Sequence, residues 1–180
     1  WTVSGSYMQV LPRFISRAAD GVSDEKEFLR EYFNTPEEMY NMIFLKGYQW
    51  PFAAGHVPGS SLIDIFVNIE IVERGRRVFL DYRSDPADYD FRNLNSETRE
   101  YLSRSGAIAD SPLKRLELLN SPALELYRSH GIDLAKEPLE IAVCAQHNNG
   151  GLAGNLWWES ENIRHLFPVG EVNGSHRVTR

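Results

Sequence analysis

Cysteine is almost absent from this chain. Cys144 stands alone among 180 residues, so no disulfide can close within it, and the composition suits a reducing, cytoplasmic compartment. Flanked by Val143 and Ala145, its thiol reads as a small buried hydrophobe rather than a nucleophile. Basic excess is missing too: 19 Lys and Arg against 25 Asp and Glu leave a formal charge of -6, which argues against nucleic-acid binding. No apolar run approaches the ~18 to 20 residues of a membrane span, and no basic-then-apolar leader opens the chain. No GxGxxG occurs, so no glycine-rich strand-to-helix turn is present to carry a dinucleotide pyrophosphate. The acids between Asp85 and Asn95 lack the glycine turn of an EF-hand, and no metal site is expected.

What is present alternates between helix and strand signals. Ser6–Ile15 mixes aromatic and aliphatic residues with a late Pro12 and reads as an edge strand or extended lead-in. Asp24 and Glu27 suggest a short helix running to Phe33, or a solvated amphipathic face. Thr35, Pro36 and Glu38 supply N-cap, first-turn proline and capping-box acid for a helix that Gly47 stops. The loop after it carries Trp50, Phe52 and His56 and reads either as a lid or as a connection whose rings plug the core. From Ser60 or Ser61 to Arg74, apolar residues surround much of a helix, which is expected to be buried on most sides. Val78–Leu80 begin a strand, at whose end Asp81 and Arg83 share a face and can pair. A helix over Ser96–Ser105 and two short helices opened by Ser111-Pro112 and Ser121-Pro122 follow, the last closed by Gly131.

The densest chemistry lies in Pro138–Arg180. Leu139, Ile141 and Val143 alternate with Glu140 and Ala142, the period of a half-buried strand. The strand stops on Asn148, Asn149, Gly150 and Gly151, residues that tolerate a tight turn and leave backbone amides open to a flat ligand. Trp157 and Trp158 follow, then the apolar run Leu166–Val169, read as a buried strand that ends on Gly170 and Glu171. A carboxylate at a strand end is a usual acceptor for ligand hydroxyls. His147, His176, Arg177 and Arg180 complete a polar cluster within one strand-turn-strand unit.

His147–Gly151, Leu166–Glu171 and His176–Arg180 resemble, in this order, the His-Tyr-x-Met-Gly-Gly turn, the LFAAGE strand and the HGANR segment of the fumarate reductase and succinate dehydrogenase flavoproteins. Those proteins belong to a wider group of FAD-dependent oxidoreductases. Gly131–Val143 is similar to that family's approach to the turn, and Arg77–Arg83 resembles a strand of its capping domain. The resemblance implies FAD as cofactor, with Gly150 and Gly151 passing backbone close to the isoalloxazine. Gly170 and Glu171 would meet the ribityl or ribose hydroxyls, and Arg180 and His176 would hold a substrate carboxylate. Two positions depart from the pattern: Gln146 stands where the family keeps its substrate histidine, with His147 at its tyrosine, and Ser60 replaces the arginine that delivers the proton in fumarate reductases. The catalytic candidates are therefore His147, Gln146 and His176.

The expected fold class is α+β: a capping region of helices and strands over 1–135, then returning strands of an incomplete FAD-binding domain over 136–180. The missing phosphate turn makes the chain a fragment whose partner is the remainder of that domain, and which does not retain FAD unaided. The expected activity is hydride transfer between flavin and a small carboxylate-bearing substrate. A dicarboxylate enzyme of the fumarate reductase type and a non-catalytic capping or docking module that uses Trp157 and Trp158 are the alternatives.

Overall fold

The computed structural model describes residues 5–19, 24–49, 59–143 and 151–174. The chain divides into two compact units, Trp1–Val143 and Cys144–Arg180. The class is α+β: helices accompany one three-stranded antiparallel sheet of order β1-β2-β3.

In the first unit, a one-turn helix, α1 (Ser6–Gln9), precedes β1 (Arg13–Ala18). The expected edge strand therefore starts late, and β1 does lie at a sheet edge. Only a 3-10 turn, Phe28–Glu31, forms where a helix to Phe33 was anticipated. Its length suffices to bury Phe28 and Leu29. Helix α2 (Pro36–Lys46) keeps the expected cap: Thr35 Oγ1 accepts from the Glu38 N–H at 3.2 Å, and Glu38 reaches back to the Asn34 N–H. A side chain at Gly47 would strike the Gln9 side chain and the Gly5 carbonyl, so the stop signal also permits α1 and α2 to approach.

Helix α3 (Ser61–Asn68) continues into a π-helical turn, Ile69–Glu73, closed by the Arg74 N–H on the Ile69 carbonyl at 3.0 Å. Burial is narrower than its apolar composition suggests. Ile63, Val67 and Glu70 are buried, Ile65 and Phe66 are half-buried, and Val72 is exposed. Ile63, Val67 and Glu70 follow ordinary helical spacing, which turns the acid inward and Val72 to the opposite side.

Strand β2 (Arg76–Asp81) pairs with β1 through Arg13↔Asp81, Ile15↔Phe79 and Arg17↔Arg77, and with β3 (Leu139–Ile141) through Phe79↔Glu140. One sheet face, with Phe14, Val78, Leu80 and Leu139, joins the hydrophobic core with Tyr40, Ile43 and Phe44 of α2. On the other face the Arg17 and Arg77 guanidinium groups stand 4.8 and 5.2 Å from the Phe79 ring centroid.

Helix α4 (Ser96–Arg104) is capped by Asn95 and followed by Gly106 at φ 69°. Helix α5 (Pro112–Ser129) merges the two anticipated helices, with a break at Asn120 (φ -158°, ψ 75°), one residue before the expected Ser121 start. Its Arg115 is fully buried; the guanidinium donates to the Val10 and Ala109 carbonyls, pairs with Asp85 and stands over Tyr89.

The second unit is built differently. Its described residues are linked by single bridges, Leu152↔Asn173 and Gly154↔Ser160, and by a 3-10 turn at Gly170–Val172. The expected buried strand Leu166–Val169 is not formed: Phe167 and Val169 are exposed and only Pro168 is buried. Pro168 has no N–H to give a ladder, and His165, at φ 62°, turns the chain just before the run.

Candidate functional site

Of the residues anticipated for catalysis and binding, Gln146, His147, Gly150, His176 and Arg180 lie outside the described residues, as do Cys144 and the Trp50–Pro58 loop. Gly151, Gly170 and Glu171 lie within them. Two backbone hydrogen bonds bring these three into one neighbourhood: the Leu152 N–H donates to the Val172 carbonyl at 2.9 Å, and the Gly174 N–H donates to the Leu152 carbonyl at 2.9 Å. The two segments run parallel at this point.

Gly151 has a steric reason to be glycine. A Cβ there would lie 2.4 Å from the Val172 carbonyl oxygen and 2.7 Å from the Gly174 nitrogen. Its bare face is thus used by backbone. Gly170 has φ 70° and open space where a Cβ would stand, so its conformation, not crowding, selects glycine. Glu171 occupies the middle of the 3-10 turn Gly170–Val172.

Between these segments, side chains fold the backbone into preset turns. Asn155 Oδ1 accepts from the N–H groups of Trp157 at 2.8 Å and Glu159 at 3.2 Å, and Asn155 closes a backbone bond to Glu159. Ser160 Oγ accepts from the Asn162 and Ile163 N–H groups. Buried Asn173 donates from Nδ2 to the Pro168 carbonyl at 3.0 Å. Trp158 and His165 hold positive φ without being glycine, a local strain that these bonds sustain.

The first unit holds a separate set of polar groups. Asp81, fully buried, accepts from Arg83 through Nε at 2.8 Å and Nη2 at 3.0 Å and from Arg13 at 3.2 Å. The Asp81–Arg83 pair anticipated from their spacing is therefore present. Burial pushes the Asp81 carboxyl up, but the Arg83 side chain and N–H together with the Arg13 charge more than offset it and hold the group below its ordinary range. Glu70 is equally buried and is flanked by Arg74 and Arg76. Its Oε2, like the buried Tyr32 hydroxyl, has no hydrogen-bond partner among the described residues. The Tyr32 ring stacks on Phe66 at 4.0 Å. Neither the burial of Glu70 nor the Asn155 and Asn173 caps were anticipated from sequence; for Glu70, an acid three residues after the core-facing Val67 was the available signal.

A surface pocket of about 510 Å³ borders β2 and β3, with Ile71, Phe79, Ile132 and Leu139 among its walls. Two of its charged wall residues, Arg77 and Glu140, pair with each other at 2.8 and 2.6 Å. No group of three or more His, Cys, Asp or Glu among the described residues could hold a metal. Among them, no helix is long and apolar enough to cross a membrane. No family model, curated protein or solved structure matches this chain.

Proposed function

We propose that the chain is part of a FAD-dependent oxidoreductase that transfers hydride between the flavin and a small, carboxylate-bearing substrate. The flavin supplies the redox chemistry when bound; the chain's own residues hold and orient. One observation carries the reading: the end of the Asn-Asn-Gly-Gly block and the end of the Leu-Phe-Pro-Val-Gly-Glu block, which resemble two flavin-contacting segments, are hydrogen-bonded side by side at Leu152 and Asn173. In this reading Gly150, Gly170 and Glu171 lie along the cofactor and Gly151, whose bare face is taken by the 172–174 backbone, lets the two segments meet, while His147, Gln146 and His176 serve the reacting carbon. Arg180, with His176 beside it, binds the substrate carboxylate. Gln146 and Ser60 stand where the dicarboxylate enzymes keep their histidine and arginine, so the reading stops at the oxidoreductase class.

The phosphate-binding turn is supplied by the remainder of the flavin domain. The test compares the 180-residue chain with one extended at both ends by its native flanking sequence. Flavin absorbance is expected in the extended protein and not in the short one. Arg180→Ala in the extended protein is expected to weaken carboxylate binding and leave the colour intact. A colourless extended protein that takes up no added FAD overturns the proposal. The alternative of a docking module without catalysis is favoured by the exposure of Trp157, and the same colour measurement separates the two.

A further inference from the structure

Among the described residues, the Tyr32 hydroxyl and Glu70 Oε2 are buried without a hydrogen-bond partner. Nearly all buried polar groups in folded proteins are bonded, to protein or to ordered water, because an unmade bond costs the full desolvation of the group. The two atoms belong to one neighbourhood. Tyr32, which ends the 3-10 turn Phe28–Glu31, lies flat on Phe66, with ring centroids 4.0 Å apart and planes within 11°. The Arg74 guanidinium stands 5.6 Å from the same ring centroid. Phe66, Glu70 and Arg74 recur at intervals of four, one stripe of a helix, and the Glu70–Arg74 ion pair shows that the π-turn preserves it. The Tyr32 ring thus rests on both neighbours of Glu70 along that stripe. Stacking on Phe66 fixes the direction of its C–O bond, and the hydroxyl makes no bond to Glu70 itself. Arg76 Nε stands 3.4 Å from Glu70 Oε2 but donates to Ser16 Oγ at 3.0 Å.

The chemistry of the two atoms selects what can join them. The phenol has an O–H to give, and the carboxylate oxygen, flanked by Arg74 and Arg76, accepts. A metal cation would satisfy only the carboxylate and would stand against two guanidinium groups. An ammonium group donates but offers the phenol no acceptor. Water accepts from Tyr32 and donates to Glu70, and two polar partners are enough to hold a buried water.

We infer that Tyr32 and Glu70 form a binding site for one long-lived water, which ties the turn at Phe28–Glu31 to the π-turn at Ile69–Glu73. Oxygen-17 relaxation dispersion on the 180-residue protein, which counts waters that exchange slowly with bulk, tests it. Tyr32→Phe keeps the stacked ring and removes the donor, and is expected to lower the count by one. Tyr48→Phe deletes an exposed hydroxyl already bonded to Glu97 and is expected to leave the count unchanged. A crystal structure is expected to show the water within about 3.2 Å of both oxygens. An unchanged count in Tyr32→Phe overturns the inference, as does electron density in which the Tyr32 hydroxyl bonds directly to Glu70 or to another side chain. Neither measurement involves flavin, so the site stands or falls independently of the oxidoreductase reading.

Discussion

Residues 5–143 and 151–174 fix their chain by different means. In the first region Leu80, Tyr40 and Ile43 are buried together, and the charges that lie inside, Lys46, Arg115, Asp81 and Glu70, have opposite charges beside them. In the second, backbone N–H groups donate to Asn155 and Ser160 and Asn173 donates to a carbonyl, which sets the turns while leucine, tryptophan and valine remain outside. Hydrogen bonds exchange with those to water and contribute modestly to net stability, whereas burial of apolar surface contributes most of it. Local shape and thermodynamic support are therefore separable, and this molecule divides them between its two regions.

The largest expected contrast comes from one substitution made twice. Leu80→Ala removes a fully buried side chain from the sheet and should cost about 2–5 kcal/mol in urea unfolding. Leu156→Ala, at a site open to water, should change the same midpoint by less than about 0.5 kcal/mol. Equal losses would erase the distinction.

Acid should act next. The Asp88 carboxyl is held down to about 2, first by the Arg30 fork and also by the Tyr40 hydroxyl, with burial opposing them. The unfolded value is near 3.9. Because the folded pKa is the lower, the contribution is fully present above about pH 4 and is lost as pH falls toward about 2. Asp88→Asn should flatten that part of a plot of melting temperature against pH. Asp81 is also held low, so some slope should persist.

The smallest effect sharpens the comparison. Thr35→Ala deletes the α2 cap and should cost about 1 kcal/mol of global stability. Asn155→Ala deletes two bonds to backbone N–H groups, yet should accelerate hydrogen exchange only locally, at Trp157 and Glu159, without moving the unfolding midpoint.

Helix α2 was readable in full because its cap, proline and glycine are local signals that agree with one another. Strand β2 and the Asp81–Arg83 pair were readable for a similar reason, since period two and a two-residue spacing determine both. The π-turn was not, because helical periodicity assumes a constant phase and nothing in Ile69–Glu73 announces the wider turn. The run Leu166–Val169 misled because its hydrophobicity outweighed Pro168 and gave no warning that His165 would take positive φ. Of the candidate site, the spacing of the glycine-bearing blocks was visible, but the bond that joins Leu152 to Val172 depends on the caps between them. Those caps use Asn and Ser, residues whose local bonding leaves no periodic trace.

The wide turn at Ile69–Glu73 also sets how this helix can change in length. Adding a residue after Val72 would put Arg74 five positions beyond Glu70 and turn it by about 100° around the axis, off the i,i+4 face from which it now neutralises the Glu70 carboxylate. Arg76, on the strand that follows, would be displaced along with it. An added residue should accordingly be purged between Glu70 and Arg76, a pattern of length variation set by one sealed negative charge.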